Sequence, residues 1–307
     1  MMKKLLLTGR NGFVGQTIQS IVAKHGAQYD LELVIPTHEP DLSDQPGLYA
    51  MLADTQPDYL IHLAAQSFVP AAIKNPRETF EINFLGTLNL LQALKQANFR
   101  GRMIYVGSGD VYGLVDTEAL PILETYPLKP RNPYAVSKVA AEALCYQWSQ
   151  TEGMDVVMVR PFNHVGAGQS EHFVVSDFAK QVTQIKLGLR APVLEVGDID
   201  VTRDFTDVRD VVRAYLLLLR QGCSGEVYNV GSGQGRTVRA LLEALLDIAG
   251  VTATITQNVV RLRPAEQRRV YASPAKLFKE TGWQPQIKIE QSLKDALMDW
   301  EQKLKNG

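Results

Sequence analysis

Cysteine, charge imbalance and long apolar runs are all scarce in this chain, and each scarcity narrows what it can be. Only two cysteines, Cys145 and Cys223, stand among 307 residues, far apart and in no metal-ligand spacing. Neither a disulfide framework nor a metal site is encoded, and a reducing, cytoplasmic compartment is the expectation. The formal net charge is −1, which gives no global positive field to recruit nucleic acid; an anionic ligand needs a local basic cluster. The longest apolar runs, LLLT near the start and AYLLLL at 214–219, fall far short of the roughly 20 residues of a bilayer crossing. MMKKLLLTG has the lysines and apolar run of a signal peptide, but the run ends at once in Thr8-Gly9 and reads as a first strand. No low-complexity tract or internal repeat interrupts the chain.

What is present is an alternation. With 45% hydrophobic residues, the chain can bury one large core or a core plus a smaller lobe. Short β-branched runs predict strands at 3–9, 31–36, 59–65, 102–108, 155–162 and 226–232. Stretches at helical spacing predict helices over 13–26, 76–98 and 134–153. This order is that of a parallel sheet covered by helices on both faces. After residue 165 the regularity weakens, so 1–165 is expected to form the first domain and 166–307 mainly a second lobe, with the strand at 226–232 returning to the first sheet.

Gly9, Gly12 and Gly15 in LLLTGRNGFVG lie where the first strand turns into the first helix. Glycine there permits backbone angles closed to other residues and lets phosphates approach the helix N-terminus, whose dipole favours anions. A tight turn without a ligand is the plainer reading, and the flanking strand and amphipathic helix favour the phosphate cradle. The second strand ends in VIPTHEPDLSD, with no clean acid for a ribose 2′-hydroxyl and no arginine for a 2′-phosphate, although Arg10 in the glycine loop can reach one. NADH and NADPH both remain open. Asp41 and Leu42 are candidate adenine-side contacts, or simply an acidic turn.

Tyr134 and Lys138, four apart at the start of a helix, project from one face, and the preceding strand ends in Ser108. Three reactive groups therefore meet at the carboxyl edge of a parallel sheet, where ligands of such folds sit.

With these residues in hand, the chain resembles the extended short-chain dehydrogenases/reductases that act on nucleotide sugars. TGRNGFVG, HLAAQS, NFLGTLNLL, GSGDVYG, NPYAVSK, RPFNHVGAGQ, RDFTDVRDVV, YNVGSG and GWQP follow in family order from residue 5 to residue 285. The resemblance implies a Rossmann-type doubly wound sheet with a smaller C-terminal α/β substrate lobe, and Ser108, Tyr134 and Lys138 as catalytic residues. It implies cofactor contacts from Gly9, Arg10, Asn11, Gly12, Phe13, Val14, Gly15, Leu63, Ala64, Ala65, Tyr134, Lys138 and Pro161. Asn83 matches the family asparagine near the cofactor, and serves equally as a helix-buried hydrogen bonder. On the substrate side the resemblance implies Asn163 at the sugar or diphosphate, Arg203 and Arg263 at the diphosphate, Glu266 at the nucleotide ribose, Lys186 at the guanine, and Ser108 and Asp110 near the sugar. Lys186 reads equally well as solvated. Arg261, Arg268 and Arg269 read as a solvated basic face. Ala167 stands where a proline is usual. A homodimer through the helices at 76–98 and 134–153 is also implied.

Within this family, the resemblance implies that 4,6-dehydratases carry a glutamate at the position of Asp110, and some an acid at that of Gly109. Here the first is one methylene shorter, withdrawing the carboxylate by roughly 1 Å, enough to matter for catalysis, and the second is absent. Epimerase-reductases of the family pair a cysteine near position 110 with a histidine; His172 without that cysteine reads as substrate-loop polarity. The activity implied is reduction by NADPH or NADH of the C4 ketone of GDP-6-deoxy-4-keto-D-mannose to GDP-D-rhamnose. A nucleotide-sugar 4-epimerase with retained NAD, which shares the Ser, Tyr and Lys, is the competitor. A non-catalytic NAD(P)-sensing protein needs no such triad.

Overall fold

The computed structural model describes residues 2–258 and 267–306, and its elements follow the alternation of the sequence. In chain order they are β1 (Lys3–Thr8), α1 (Phe13–Tyr29), β2 (Leu31–Leu33), α2 (Gln45–Thr55), β3 (Tyr59–His62), α3 (Val69–Lys74), α4 (Pro76–Phe80), a π-helical turn (Glu81–Leu85), α5 (Gly86–Gln96), β4 (Arg102–Val106), α6 (Pro133–Thr151), β5 (Asp155–Pro161) and β6 (Asn163–Val165). There follow α7 (Val174–Lys186), β7 (Val193–Val196), β8 (Thr202–Asp207), α8 (Val208–Gln221), β9 (Val227–Val230), β10 (Gly235–Thr237), α9 (Val238–Ala249), β11 (Thr254–Gln257), α10 (Ala275–Thr281) and α11 (Ile289–Asn306). Among the described residues no helix is long and apolar enough to cross a membrane.

Six strands form one parallel sheet in the order β2-β1-β3-β4-β5-β9. The reversal of direction at β1 and β3 opens the crevice above their carboxyl ends. One face of the sheet packs on α1 and α8, through Ile18, Val22, Val211, Tyr215 and Leu219. The other packs on α2, α5 and α6, through Leu48, Leu90, Leu94 and Cys145. The run AYLLLL therefore belongs to a buried helix on the first sheet. Along with β9 and α10, it means that the second half of the chain supplies much of the first core.

A separate core lies beneath β6, β7, β8 and β11, built from α7, α9 and α11 through Phe178, Leu194, Phe205, Leu242 and Trp300. A three-stranded sheet, β10-β8-β6, belongs to this half and follows directly on β5.

Beneath the crevice runs a line of buried polar groups. His62, at the end of β3, meets the Thr8 hydroxyl through Nδ1 at 2.7 Å and the Thr87 hydroxyl through Nε2 at 3.0 Å. Burial is the main reason that its pKa falls from the usual 6.5 to about 3. As the pH falls below 6.5, the unfolded chain takes up a proton that the folded chain refuses until about pH 3. This contribution to stability is thus complete above 6.5 and lost across that window, with a ceiling of several kcal/mol. His62→Gln should accordingly be less stable than wild type at pH 7 by urea denaturation, with the gap narrowing steadily toward pH 4.

Candidate active site

The glycine loop has little freedom to be anything else. Gly9 has φ +70°, and a Cβ there would stand 2.7 Å from the Ala64 backbone nitrogen; one on Gly15 would stand 2.5 Å from the Arg10 carbonyl oxygen. These contacts hold the end of β1, the start of α1 and the Leu63-Ala64-Ala65 segment together as a concave, side-chain-free cradle. The Leu63 amide donates to the Thr8 carbonyl at 3.2 Å and the Ala64 amide to the Thr8 hydroxyl at 3.3 Å. The cradle fits a dinucleotide's pyrophosphate at the N-terminus of α1, flanked by Asn11, Phe13 and Val14. Pro161 ends β5 opposite Val230, along the same carboxyl edge.

The acid that the end of the second strand did not show comes from the loop beyond it. Glu39 accepts a hydrogen bond from the Gly9 amide at 2.8 Å and from Arg10 Nε at 3.1 Å. Pro36 and Pro40 are buried on either side of it, which holds the carboxylate at the cradle's rim. Asp41, by contrast, binds the amide and hydroxyl of Ser43 at 2.8 and 2.6 Å, which holds its carboxyl below the usual range. Leu42 is packed in the core against Gly86. These bonds make the segment an acidic turn at the foot of the cradle, and Glu39 is an acid that strand spacing missed.

Asn83 sits in the π-helical turn and is 2% exposed. Its carbonyl accepts from the Gln66 amide at 2.8 Å, while its amide donates to the Gln66 carbonyl at 3.0 Å and to the Ser137 hydroxyl at 2.9 Å. Ser137 donates in turn to the Tyr134 carbonyl at 2.7 Å. With its donors used by the protein, Asn83 ties Gln66 to the helix that carries Tyr134 and Lys138, as a buried hydrogen bonder does.

Asn132 caps α6 by accepting from the Ala135 amide at 2.8 Å, and Pro133 occupies the first turn. The helix therefore begins at a defined residue, and Tyr134 and Lys138 stand side by side over the end of β4. Tyr134 is 8% exposed and its hydroxyl hydrogen-bonds Ser108. Lys138 Nζ donates to the Val106 carbonyl at 2.8 Å and lies 5.9 Å from the Tyr134 ring centroid. The three groups read from sequence thus meet.

Burial dominates the electrostatics of this group. Burial first, and the Asp110 carboxylate second, push the Tyr134 pKa above 10, the Ser108 hydrogen bond opposing them. Burial lowers Lys138 from 10.5 to about 8. At neutral pH the phenol is protonated and the ammonium charged. That pairing suits proton donation.

Ser108 also starts a short 3₁₀ turn, its hydroxyl accepting from the Asp110 amide at 3.2 Å. A Cβ on Gly109 would meet the Phe162 ring at 3.0 Å, and that ring is packed on Tyr112. A side chain at this position therefore requires the Phe162 ring to shift, which makes it a crowded place for an acid.

On the substrate side, Asn163 is exposed at the start of β6, beside Phe205 of β8. Arg203 lies on β8, donating to the Thr202 carbonyl at 2.9 Å. Lys186 is in the last turn of α7, about 18 Å along the axis from the helix start, and pairs with Glu301 of α11 at 2.9 Å. Its partner there is an acid of its own lobe. Arg263 and Glu266, with Arg261, lie outside the described residues. Arg268 pairs with Asp198, as expected of a surface cation. His172 packs against Phe68 in a tilted ring contact, centroids 4.9 Å apart, bridging the two halves of the chain.

The chain matches the family model described as GDP-mannose 4,6 dehydratase over residues 10–296. It is 51% identical over 305 residues to the GDP-6-deoxy-D-mannose reductase of Pseudomonas aeruginosa, covering 99% of each chain. The structure of RMD from Pseudomonas aeruginosa complexed with NADPH is similar with a TM-score of 0.94 and 51% identity over 98% of this chain and 100% of that one. The Thermus thermophilus UDP-glucose 4-epimerase solved with NAD is similar with a TM-score of 0.85 and 30% identity, over 97% and 98% of the two chains. Cradle, triad and likeness over nearly the whole length agree, and the chain belongs to the nucleotide-sugar family of extended short-chain dehydrogenases/reductases.

Proposed function

We propose that this protein reduces the C4 ketone of GDP-6-deoxy-4-keto-D-mannose to GDP-D-rhamnose with NADPH or NADH. The observation that carries this reading is the buried Tyr134 beside Ser108 and Lys138, next to a position 109 that has no acid and is crowded by the Phe162 ring. The name of the Pseudomonas aeruginosa relative supports the GDP-linked sugar.

The reduced dinucleotide supplies the hydride when bound. Everything else falls to the chain. Gly9, Gly12 and Gly15 would hold its pyrophosphate. Glu39 is suited to a ribose hydroxyl and Arg10 to a 2′-phosphate, so both reduced cofactors fit. Ser108 donates a hydrogen bond to the ketone oxygen and Tyr134 gives it a proton as negative charge develops there. Lys138 then stabilises the phenolate left on Tyr134, two residue positions that helical spacing alone keeps adjacent. Asp110, set close enough to raise Tyr134, keeps the acid loaded between turnovers.

The substrate side rests on residues 166–307, with Asn163, Arg203 and Arg263 toward the diphosphate, Glu266 toward the nucleotide ribose, and Lys186 toward the base if it leaves Glu301. A cytoplasmic homodimer through α5 and α6 completes the reading; Leu85, Val136 and Tyr146 are exposed apolar residues in or beside those helices. Retained NAD and 4-epimerisation form the second reading, because that chemistry uses the same Ser, Tyr and Lys. Incubation with the keto sugar and each reduced cofactor, followed by identification of the C4 configuration, tests the proposal: the rhamno product supports it. Recovery of unreduced ketone with both cofactors refutes it.

A further inference from the structure

Arg203 has a second arginine directly across from it. β10 runs antiparallel to β8, and Arg236 is the residue opposed to Arg203. Opposed residues of an antiparallel pair project from one face with Cβ atoms about 4.5–5.5 Å apart, and like charges so placed destabilise the sheet. Arg236 Nη1 is buried without a hydrogen-bond partner among the described residues, and an enclosed guanidinium donor left unmet is unfavourable and calls for an explanation.

The nearest buried acid, Asp204, does not provide one. It follows Arg203 and so faces the other side of the sheet. There its carboxylate is filled by the amides of Ser232, Gly233 and Ala272, at 2.7, 3.0 and 3.1 Å, and by the Ser232 hydroxyl at 2.5 Å. On the arginine face the third strand adds a polar group instead. Asn163 of β6 is opposite Phe205, two residues along β8 from Arg203, and so belongs to the same side.

One face of the sheet β10-β8-β6 thus carries an asparagine and two opposed arginines. Planar, permanently charged forks on adjacent strands match an anion with oxygens on two linked centres. Resting on the nucleotide-sugar reading above, we propose that Arg236 joins Arg203 in a two-guanidinium clamp on the substrate's diphosphate. Its missing partner is then a phosphate oxygen.

Calorimetric titration of the full-length protein with GDP, inorganic pyrophosphate and GMP, with NADPH as a control ligand, tests this. Arg236→Gln should weaken GDP and pyrophosphate binding about 10- to 100-fold, the loss of one charge-assisted hydrogen-bonding group, and affect GMP much less. NADPH affinity should be unchanged and, in turnover, KM for the sugar should rise with kcat retained. Arg236→Lys, which keeps the charge and loses the fork, should fall between. If wild type binds GDP and both variants bind it equally well, the clamp is overturned. If wild type itself binds neither GDP nor pyrophosphate, the nucleotide-sugar reading falls and takes the clamp with it.

Discussion

Tyr134→Phe should retain wild-type affinity for GDP and for reduced dinucleotide while kcat falls about 100- to 10,000-fold, the range that a positioned general acid contributes. The substitution removes one oxygen and keeps the ring, which is buried at the start of α6, so fold and ligand cradle are preserved. What disappears is the proton nearest the Ser108 hydroxyl. Ser108 and Lys138 remain to polarise the ketone, so residual turnover is expected. Equal losses in kcat and kcat/KM identify an interaction made in the transition state rather than in binding. Near-normal turnover by this variant would remove Tyr134 from the mechanism.

Lys138→Met should also be severe, and for a different reason. A unit charge about 6 Å from a forming phenolate, at an effective dielectric near 20, is worth roughly 2–3 kcal/mol, or about 100-fold in rate. The cation lies 5.9 Å from the Tyr134 ring centroid and 5.4 Å from that of Tyr105, with the Val106 carbonyl as its hydrogen-bond acceptor. Because burial lowers its pKa to about 8, the charge is lost as the pH rises through that value. Tyr134, pushed above 10, does not titrate there. Wild-type kcat/KM should therefore be level near neutrality and fall through about pH 8, and the variant should lack this alkaline limb. Stability moves the other way. Between about pH 8 and 10.5 only the unfolded chain keeps this proton, so the group's contribution to stability rises with pH across that window. An unchanged alkaline limb in Lys138→Met would assign the titration to another group.

The predicted strands all occur, because a parallel sheet buried on both faces needs continuous β-branched runs that interrupt helical spacing visibly. Ends were less legible: the second strand stops at Leu33, and the helix expected over 76–98 is α4 and α5 joined by a π-helical turn. Short helices such as α3, opened by a proline and only six residues long, carry too few turns to show a period. The candidate catalytic groups were legible because helical spacing and one strand end suffice to bring Ser108, Tyr134 and Lys138 together. Glu39 was not, since its contact with Gly9 depends on a loop path set by two buried prolines. Arg236 was hidden for a similar reason, because its neighbour is fixed by a strand register joining residues more than thirty positions apart. The direction of the Tyr134 shift also needed the structure: spacing shows the nearby lysine, while burial decides the sign.

Net reduction at C4 moves a hydride from cofactor to sugar, so deuterium transfer reads it without ambiguity. GDP-6-deoxy-4-keto-D-mannose would be incubated with enzyme and reduced dinucleotide labelled at the transferable position, and the sugar product read by NMR while cofactor oxidation is followed by absorbance. The account predicts one deuterium on C4 of GDP-D-rhamnose for each cofactor oxidised. A changed sugar with no deuterium and no net cofactor consumption would contradict it and establish the epimerase instead.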